Sequence, residues 1–230
     1  MFGPIENIIF DLDGTLVSSM KTAIKGILES IEVGSGQKVD PALLPLGRTP
    51  QMIIRDFVPE SSWEKSLNYW NDFELNILEK IEVFDGIEDL LSYLKSKNIF
   101  MAIYTGRDRL GTLRILEHKK WIPNYFSLEY IRCGDDPTGH KPSPNAILDL
   151  CSKFKLNKER TLMVGDHHVD ALSARAAGIK FGGLIWDLPG TPDQTFRSRY
   201  KESWQRWDGV DIDLRLPTPM ALKEYFESKI

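Results

Sequence analysis

The chain has 230 residues, with 42% hydrophobic and 27% charged side chains, a formal net charge of −4 and a sequence pI of about 5.7. That is room for one large domain or a domain carrying a smaller one, and the acidic balance argues against a broad nucleic-acid-binding surface. No apolar run nears the roughly 18 residues of a membrane span, and the opening MFGPIENIIFDLDG has no basic flank and reaches carboxylates too early for a signal peptide.

Residues 5–10 (IENIIF) read as a short buried strand that ends at two carboxylates, Asp11 and Asp13. From Val17 the period changes: Val17, Met20, Ile24, Ile27, Leu28 and Ile31 fall three and four apart, a helix face. The stretch VGSGQKVDPALLPLGRTP interrupts it with Gly and Pro. A second helical run follows, with Trp63, Leu67, Trp70, Ile77, Leu78 and Ile81 on one side. After VFDG, Ile87, Leu90, Leu91 and Leu94 mark a helix, and IFMAIYTG is an apolar strand ending in Thr-Gly. A helix near 110–118 and a strand near 127–132 come next. KPSPNAILDLCSKF supplies a helix with Ser143 as N-cap and Pro144 in the first turn. RTLMVGDHHVD is a strand running into acids, ALSARAAG a helix, and KFGGLIW a further strand. Cys133 and Cys151 are too few for a disulfide framework, and we expect reduced thiols in a cytoplasmic protein.

Strands alternating with helices imply an α/β fold, a doubly wound parallel sheet covered on both faces. The helical stretch 17–83 then reads as an insertion, with 1–16 and 84–230 forming the core. In such sheets ligands bind beyond the carboxyl ends of the strands. There the sequence places Asp11 and Asp13 after IIF, Thr105 after MAIY, Lys141 before a helix start, and Asp166 with Asp170 after LMVG. Four acids can hold a hard divalent cation by oxygen ligation, with Mg2+ the expected ion, leaving Lys141 and Thr105 for an anion. Such a set suits phosphoryl transfer, which needs positioning and charge neutralisation. One Asp can attack phosphorus as a covalent nucleophile, while the second, on the same side of an extended chain, moves protons.

DLDGTL, YTGR, HKPSP and GDHHVD, in this order, resemble the four motifs of the haloacid dehalogenase-like hydrolases, over residues 5 to about 185. Within that superfamily the chain is most similar to the phosphoglycolate phosphatase-like branch, whose helical cap is inserted where 17–83 lies. The resemblance implies a Rossmann-like core and a role for each residue. Asp11 is the nucleophile; Asp13 is the general acid–base, its backbone carbonyl also touching Mg2+. Thr105 and the Gly106 amide hold the phosphoryl group, and Lys141 neutralises shared charge. Asp166 ligates Mg2+, and Asp170 ligates it or supports its waters. Dehalogenases lack an acid at the position of Asp13, so its presence favours a phosphatase acting on a small phosphorylated metabolite. Two other readings stand beside it: a phosphosugar mutase of the same superfamily, and a non-catalytic binding module.

Other signals have two readings. Arg48, in LPLGRTPQMIIR, either reaches a substrate anion or is a solvated arginine, and Arg107 after YTG has the substrate's leaving group within reach. Arg55 and Arg107 are weaker candidates than Arg48. Phosphonate cleavage would need a singled-out cap lysine, and Lys21, Lys25, Lys38 and Lys65 have no such context. His167 and His168 lack a third nitrogen or sulfur ligand for zinc; His167 is expected to line the pocket and His168 to be structural or exposed. Phe196, Tyr200, Trp204 and Trp207 form one helical stripe within 186–210, a segment longer and more aromatic than relatives carry. We read it as core or subunit packing rather than nucleic-acid stacking, in a monomer or homodimer. GVDIDLRLPTPMALKEYF then gives a closing strand and helix with Thr218 as N-cap and Pro219 after it.

Overall fold

NIIF is apolar at nearly every position because both of its faces are covered, as strands of a parallel sheet require. In the computed structural model, which describes residues 4–45, 47–185, 207 and 209–228, this run is β1 (Asn7–Phe10). It pairs in parallel with β4 (Phe100–Tyr104) on one side and β6 (Thr161–Gly165) on the other. With β5 (Ile131–Arg132), β7 (Lys180–Leu184) and β8 (Leu214–Leu216), the sheet order is β5-β4-β1-β6-β7-β8. This is the doubly wound order, whose direction of winding reverses between β1 and β6.

Alternation along β1 sorts its side chains onto two cores. Ile8 and Phe10 pack with α4 (Ile87–Ser96), α5 (Arg109–His118) and the closing helix α8 (Pro219–Glu227). Ile9 packs with α6 (Asn145–Lys153) and α7 (His168–Ala177) on the other face. Trp207 joins this second cluster, its ring edge-on to Phe181 at 5.3 Å and its indole N–H donating to the Leu184 carbonyl at 3.2 Å. Phe196, Tyr200 and Trp204 lie outside the described residues. The closing elements match expectation, with the Thr218 hydroxyl accepting from the Ala221 N–H at 3.2 Å.

Between β1 and α4 come three helices, α1 (Met20–Ser35), α2 (Pro50–Phe57) and α3 (Trp63–Ile77), around their own cluster of Ile27, Ile31, Ile54 and Trp70. Several boundaries differ from the sequence reading. Val17 does not begin the helix face: it lies in β2 (Val17–Ser18), antiparallel to β3 (Glu82–Val83), so the two chain crossings are hydrogen-bonded to each other. Ser19 occupies the N-cap but makes no cap bond, because its hydroxyl goes to Asp13. Ile77, Leu78 and Ile81 end the second helical run by turning onto the cluster beneath the sheet rather than the three-helix cluster. Of residues 127–132 only Ile131 and Arg132 pair with β4, since Leu128–Tyr130 form a 3-10 turn. Pro144, already helical at φ −78°, takes the N-cap position of α6, and Ser143 instead accepts from the Asn145 N–H at 3.2 Å.

Candidate active site

The strand ends converge where the winding reverses. Asp11 follows β1, and its N–H donates to the Val164 carbonyl of β6 at 2.9 Å, fixing the chain as it leaves the sheet. Its side chain is buried at 5% exposure. One carboxylate oxygen, Oδ1, lies 2.6 Å from the Lys141 ammonium; the other, Oδ2, is buried without a hydrogen bond. Lys141 Nζ also sits 2.6 Å from Asp170 Oδ1 and 5.2 Å from the centre of the Tyr104 ring.

Asp170 belongs to the first turn of α7, where it completes a reciprocal cap: its Oδ2 accepts from the His167 N–H at 3.0 Å, and the His167 ring accepts from the Val169 N–H at 3.4 Å. Asp166 sits just beyond β6, pressed against Gly14. Gly14 has φ +86°, and a Cβ there would come within 2.5 Å of an Asp166 carboxylate oxygen, so glycine is needed both for the turn and for the approach. The outcome is a group of three acids, Asp11, Asp166 and Asp170, each offering one oxygen within 4.8 Å of the others.

Asp13 points elsewhere. Its carboxylate is bound by Arg107, with Nε 3.0 Å from Oδ2 and Nη2 2.7 Å from Oδ1, and by the Ser19 hydroxyl. Only its backbone is thus left to face a cation. Arg107 is itself buried, and its remaining edge pairs with Glu74 of α3. Arg114 approaches the other Glu74 oxygen at 3.5 Å. Arg107 lines the cleft, but its guanidinium is held by two carboxylates.

These neighbours pull the two motif aspartates apart electrostatically. Burial, reinforced by Asp170 and Asp13, pushes Asp11 up to about 7 despite the opposing Lys141. Burial also works against Asp13, but the charge and hydrogen bonds of Arg107, with the Ser19 bond, outweigh it and hold that carboxyl below its ordinary value. Lys141 is raised: burial disfavours its charge, and the facing Asp11 and Asp170 more than compensate.

Thr105 is buried at the end of β4, its hydroxyl accepting from the Arg107 N–H at 3.1 Å. The next residue, Gly106, is crowded by a loop of the helical segment: a Cβ there would lie 2.9 Å from the Gly47 carbonyl oxygen. Arg48, beside Gly47, lines the cleft and is paired with Asp56. Arg55 instead stacks over the Trp63 ring at 5.1 Å, and Lys25 and Lys38 pair with Glu29 and Glu32; none of the three borders the cleft, nor do Lys21 and Lys65. His167 borders it and His168 is exposed. Both cysteines are free and buried, and burial pushes the Cys133 thiol up to about 12.

The structure therefore brings Asp11, Asp13, Thr105, Gly106, Arg107, Lys141, Asp166, Asp170 and Arg48 to one cleft. Glu74 and Ser19 are the participants that sequence reasoning missed. Ser19 sits six residues from Asp13, within reach of the motif; nothing in NDFELN distinguishes Glu74 from a solvated helical glutamate.

Comparison with known proteins matches the haloacid dehalogenase-like hydrolase profile to residues 8–184. The chain is 27% identical to phosphoglycolate phosphatase 1 of Pseudomonas aeruginosa over 78% of its own length and 69% of that protein's. It is 26% identical to the pyrophosphatase PpaX of Oceanobacillus iheyensis, covering 81% of this chain and 86% of that one. Among solved structures, a hydrolase from Pseudomonas syringae superposes with a TM-score of 0.77 at 18% identity, covering 98% and 99% of the two chains; at that identity the likeness is one of fold.

Proposed function

The chain belongs to the haloacid dehalogenase-like hydrolases, and from that premise we propose that it is a Mg2+-dependent phosphatase of a small phosphorylated metabolite, working through an aspartyl-phosphate on Asp11. The observation that carries the reading is the state of Asp11: one oxygen held by Lys141, the other buried without a hydrogen bond, and the carboxylate grouped with those of Asp166 and Asp170.

A divalent cation fits this donor set. Three carboxylates converging beside a single ammonium leave excess negative charge, and buried oxygens without hydrogen bonds are where a hard cation binds. Asp11 and Asp166 would hold Mg2+ with the Asp13 carbonyl, and Asp170, already committed to Lys141 and the His167 amide, would act as a further ligand or an orienting neighbour. When bound, the ion supplies charge neutralisation for the transferring phosphoryl group.

The chain's own residues do the rest. Lys141, the Thr105 hydroxyl and the Gly106 amide hold the phosphoryl oxygens. One carboxylate oxygen of Asp11 attacks phosphorus while the other stays with the cation, the bond to the leaving oxygen breaks, and Asp13 delivers a proton to that oxygen. Asp13 then takes a proton from water, which attacks the aspartyl-phosphate and frees Asp11 and inorganic phosphate. Against Arg107 the Asp13 carboxyl is held ionised, so to act as the acid it must turn from that pair toward the cleft and first take up a proton from solvent. Residues 17–83 serve as a cap that keeps bulk water from the transfer, with β2 and β3 as the paired crossings.

The test is hydrolysis of p-nitrophenyl phosphate. Activity should require Mg2+, vanish with a chelator, and be abolished in Asp11→Asn; full activity in that variant would sink the mechanism.

A further inference from the structure

Resting on the phosphatase reading, a second conclusion concerns what the phosphate is attached to. Opposite the acids, the cleft is walled by Met20, Ala23, Ile24 and Ile27 of α1 and by Pro50 and Ile53 of α2. The first four are spaced three, one and three apart, a single stripe of α1, so the wall is a continuous apolar surface. The cleft as a whole, acids included, has a volume of about 80 Å³, which suits a small molecule.

The cations of the cleft are all engaged. Lys141 lies between Asp11 and Asp170. Arg107 lies between Asp13 and Glu74. Arg48, the cationic side chain that the helical segment offers among the described lining residues, is paired with Asp56. A leaving group bearing its own carboxylate or second phosphate would lose water against this wall, and of these cations only Arg48 lies on the helical side to receive it, at the cost of its pair with Asp56, an arrangement that disfavours the charged form. A leaving group with hydroxyls would have few partners to replace water. An apolar one loses nothing and gains the contact.

We propose that the substrate is the phosphate monoester of a small apolar alcohol, recognised through its hydrocarbon part by the α1–α2 wall. This departs from the acidic substrates in the names of its relatives. The α1 stripe would act as the specificity determinant, and Arg48 would have no part in holding a second anion.

Binding separates this inference from the phosphatase reading, because it needs no turnover. Calorimetry with Mg2+ present would compare methyl-, ethyl-, propyl- and butylphosphonate with phosphonoacetate and pyrophosphate, and turnover of the corresponding phosphate esters would be followed alongside. Affinity should rise roughly fourfold per methylene, the equivalent of about 0.8 kcal/mol, until the cleft is filled. Phosphonoacetate should bind at least about tenfold more weakly than propylphosphonate, the direction expected for an unpaired buried carboxylate. Met20→Gln, at the more exposed end of the stripe, should flatten the chain-length series, and Ile24→Asn should do so more strongly if it folds. A flat series in the native protein, or tighter binding of phosphonoacetate or pyrophosphate that is lost in Arg48→Ala, would overturn the inference. A steep series without turnover of any ester would uphold recognition of the hydrocarbon part by the α1–α2 wall while removing the phosphatase reading.

Discussion

Replacing Glu74 with alanine tests whether the helical segment is tied to the reaction centre through Arg107. Glu74 is 3% exposed and its carboxylate faces both Arg107 and Arg114, while Gly111 leaves it room: a Cβ there would lie 2.6 Å from Glu74 Oε1. Removing one partner of a buried ion pair costs about 3–5 kcal/mol. Arg107 keeps Asp13 on its other edge, so the lower end applies, about 3 kcal/mol. At roughly 2–4 °C per kcal/mol for a chain of this size, thermal unfolding should move down by about 6–12 °C. The control is Lys25→Ala, which breaks the i,i+4 pair with Glu29, whose side chains are 68% and 36% exposed, and leaves the Tyr69 hydroxyl on Glu29. An exposed pair of this kind contributes about 0–1 kcal/mol, a shift of at most ~4 °C. Circular dichroism melts of the two variants decide the matter, with kcat measured in parallel because a released Arg107 no longer fixes Asp13. Equal melting shifts for the two variants would refute the reasoning.

Asp13→Asn should slow the first transfer to Asp11, read as leaving-alcohol release in a single turnover, about 10²–10⁴-fold with alkyl phosphates, and much less with p-nitrophenyl phosphate, whose leaving oxygen needs no proton; equal losses in that step would remove the acid role. The raised carboxyl of Asp11 gives a pH dependence. Its proton stabilises the metal-free fold below the ordinary value of 3.8, and that contribution is lost as pH rises through about 7. Because a cation needs the carboxylate, apparent Mg2+ affinity should climb with pH up to about 7 and level off above it, measured as the Mg2+-induced melting shift from pH 5.5 to 8.5. A pH-independent shift would contradict this. Gly106→Ala should reduce activity by displacing Gly47, since the added Cβ would sit 2.9 Å from its carbonyl oxygen; unchanged kcat and KM would show that this approach does not matter.

How much of this was legible in the sequence follows from how local each cause is. Asp11, Asp13, Thr105, Lys141, Asp166 and Asp170 were readable because each stands at a strand or helix end, where an apolar run stops at a polar residue. Val17 was misplaced because its spacing fits a helix face as well as a strand, and the pairing with Val83 that decides between them comes from 66 residues away. Glu74 was illegible for a related reason. Its partners lie on another element, and only the packing of α3 against the loop after β4 turns an ordinary helical glutamate into the anchor of Arg107. The wall of the cleft was half visible: Met20, Ile24 and Ile27 appeared as a helix face, but the sequence alone does not say that this face looks toward the acids.

The account stands on Asp11 as the atom donor that attacks phosphorus. Its most direct test is to mix native protein, Mg2+ and a phosphate monoester, quench in acid within the first turnover, and map the labelled peptide by mass spectrometry. Phosphate should be found on Asp11, labile to hydroxylamine and absent in Asp11→Asn. Steady hydrolysis with no phosphate on the protein at any time, or with the label on another residue, would contradict it.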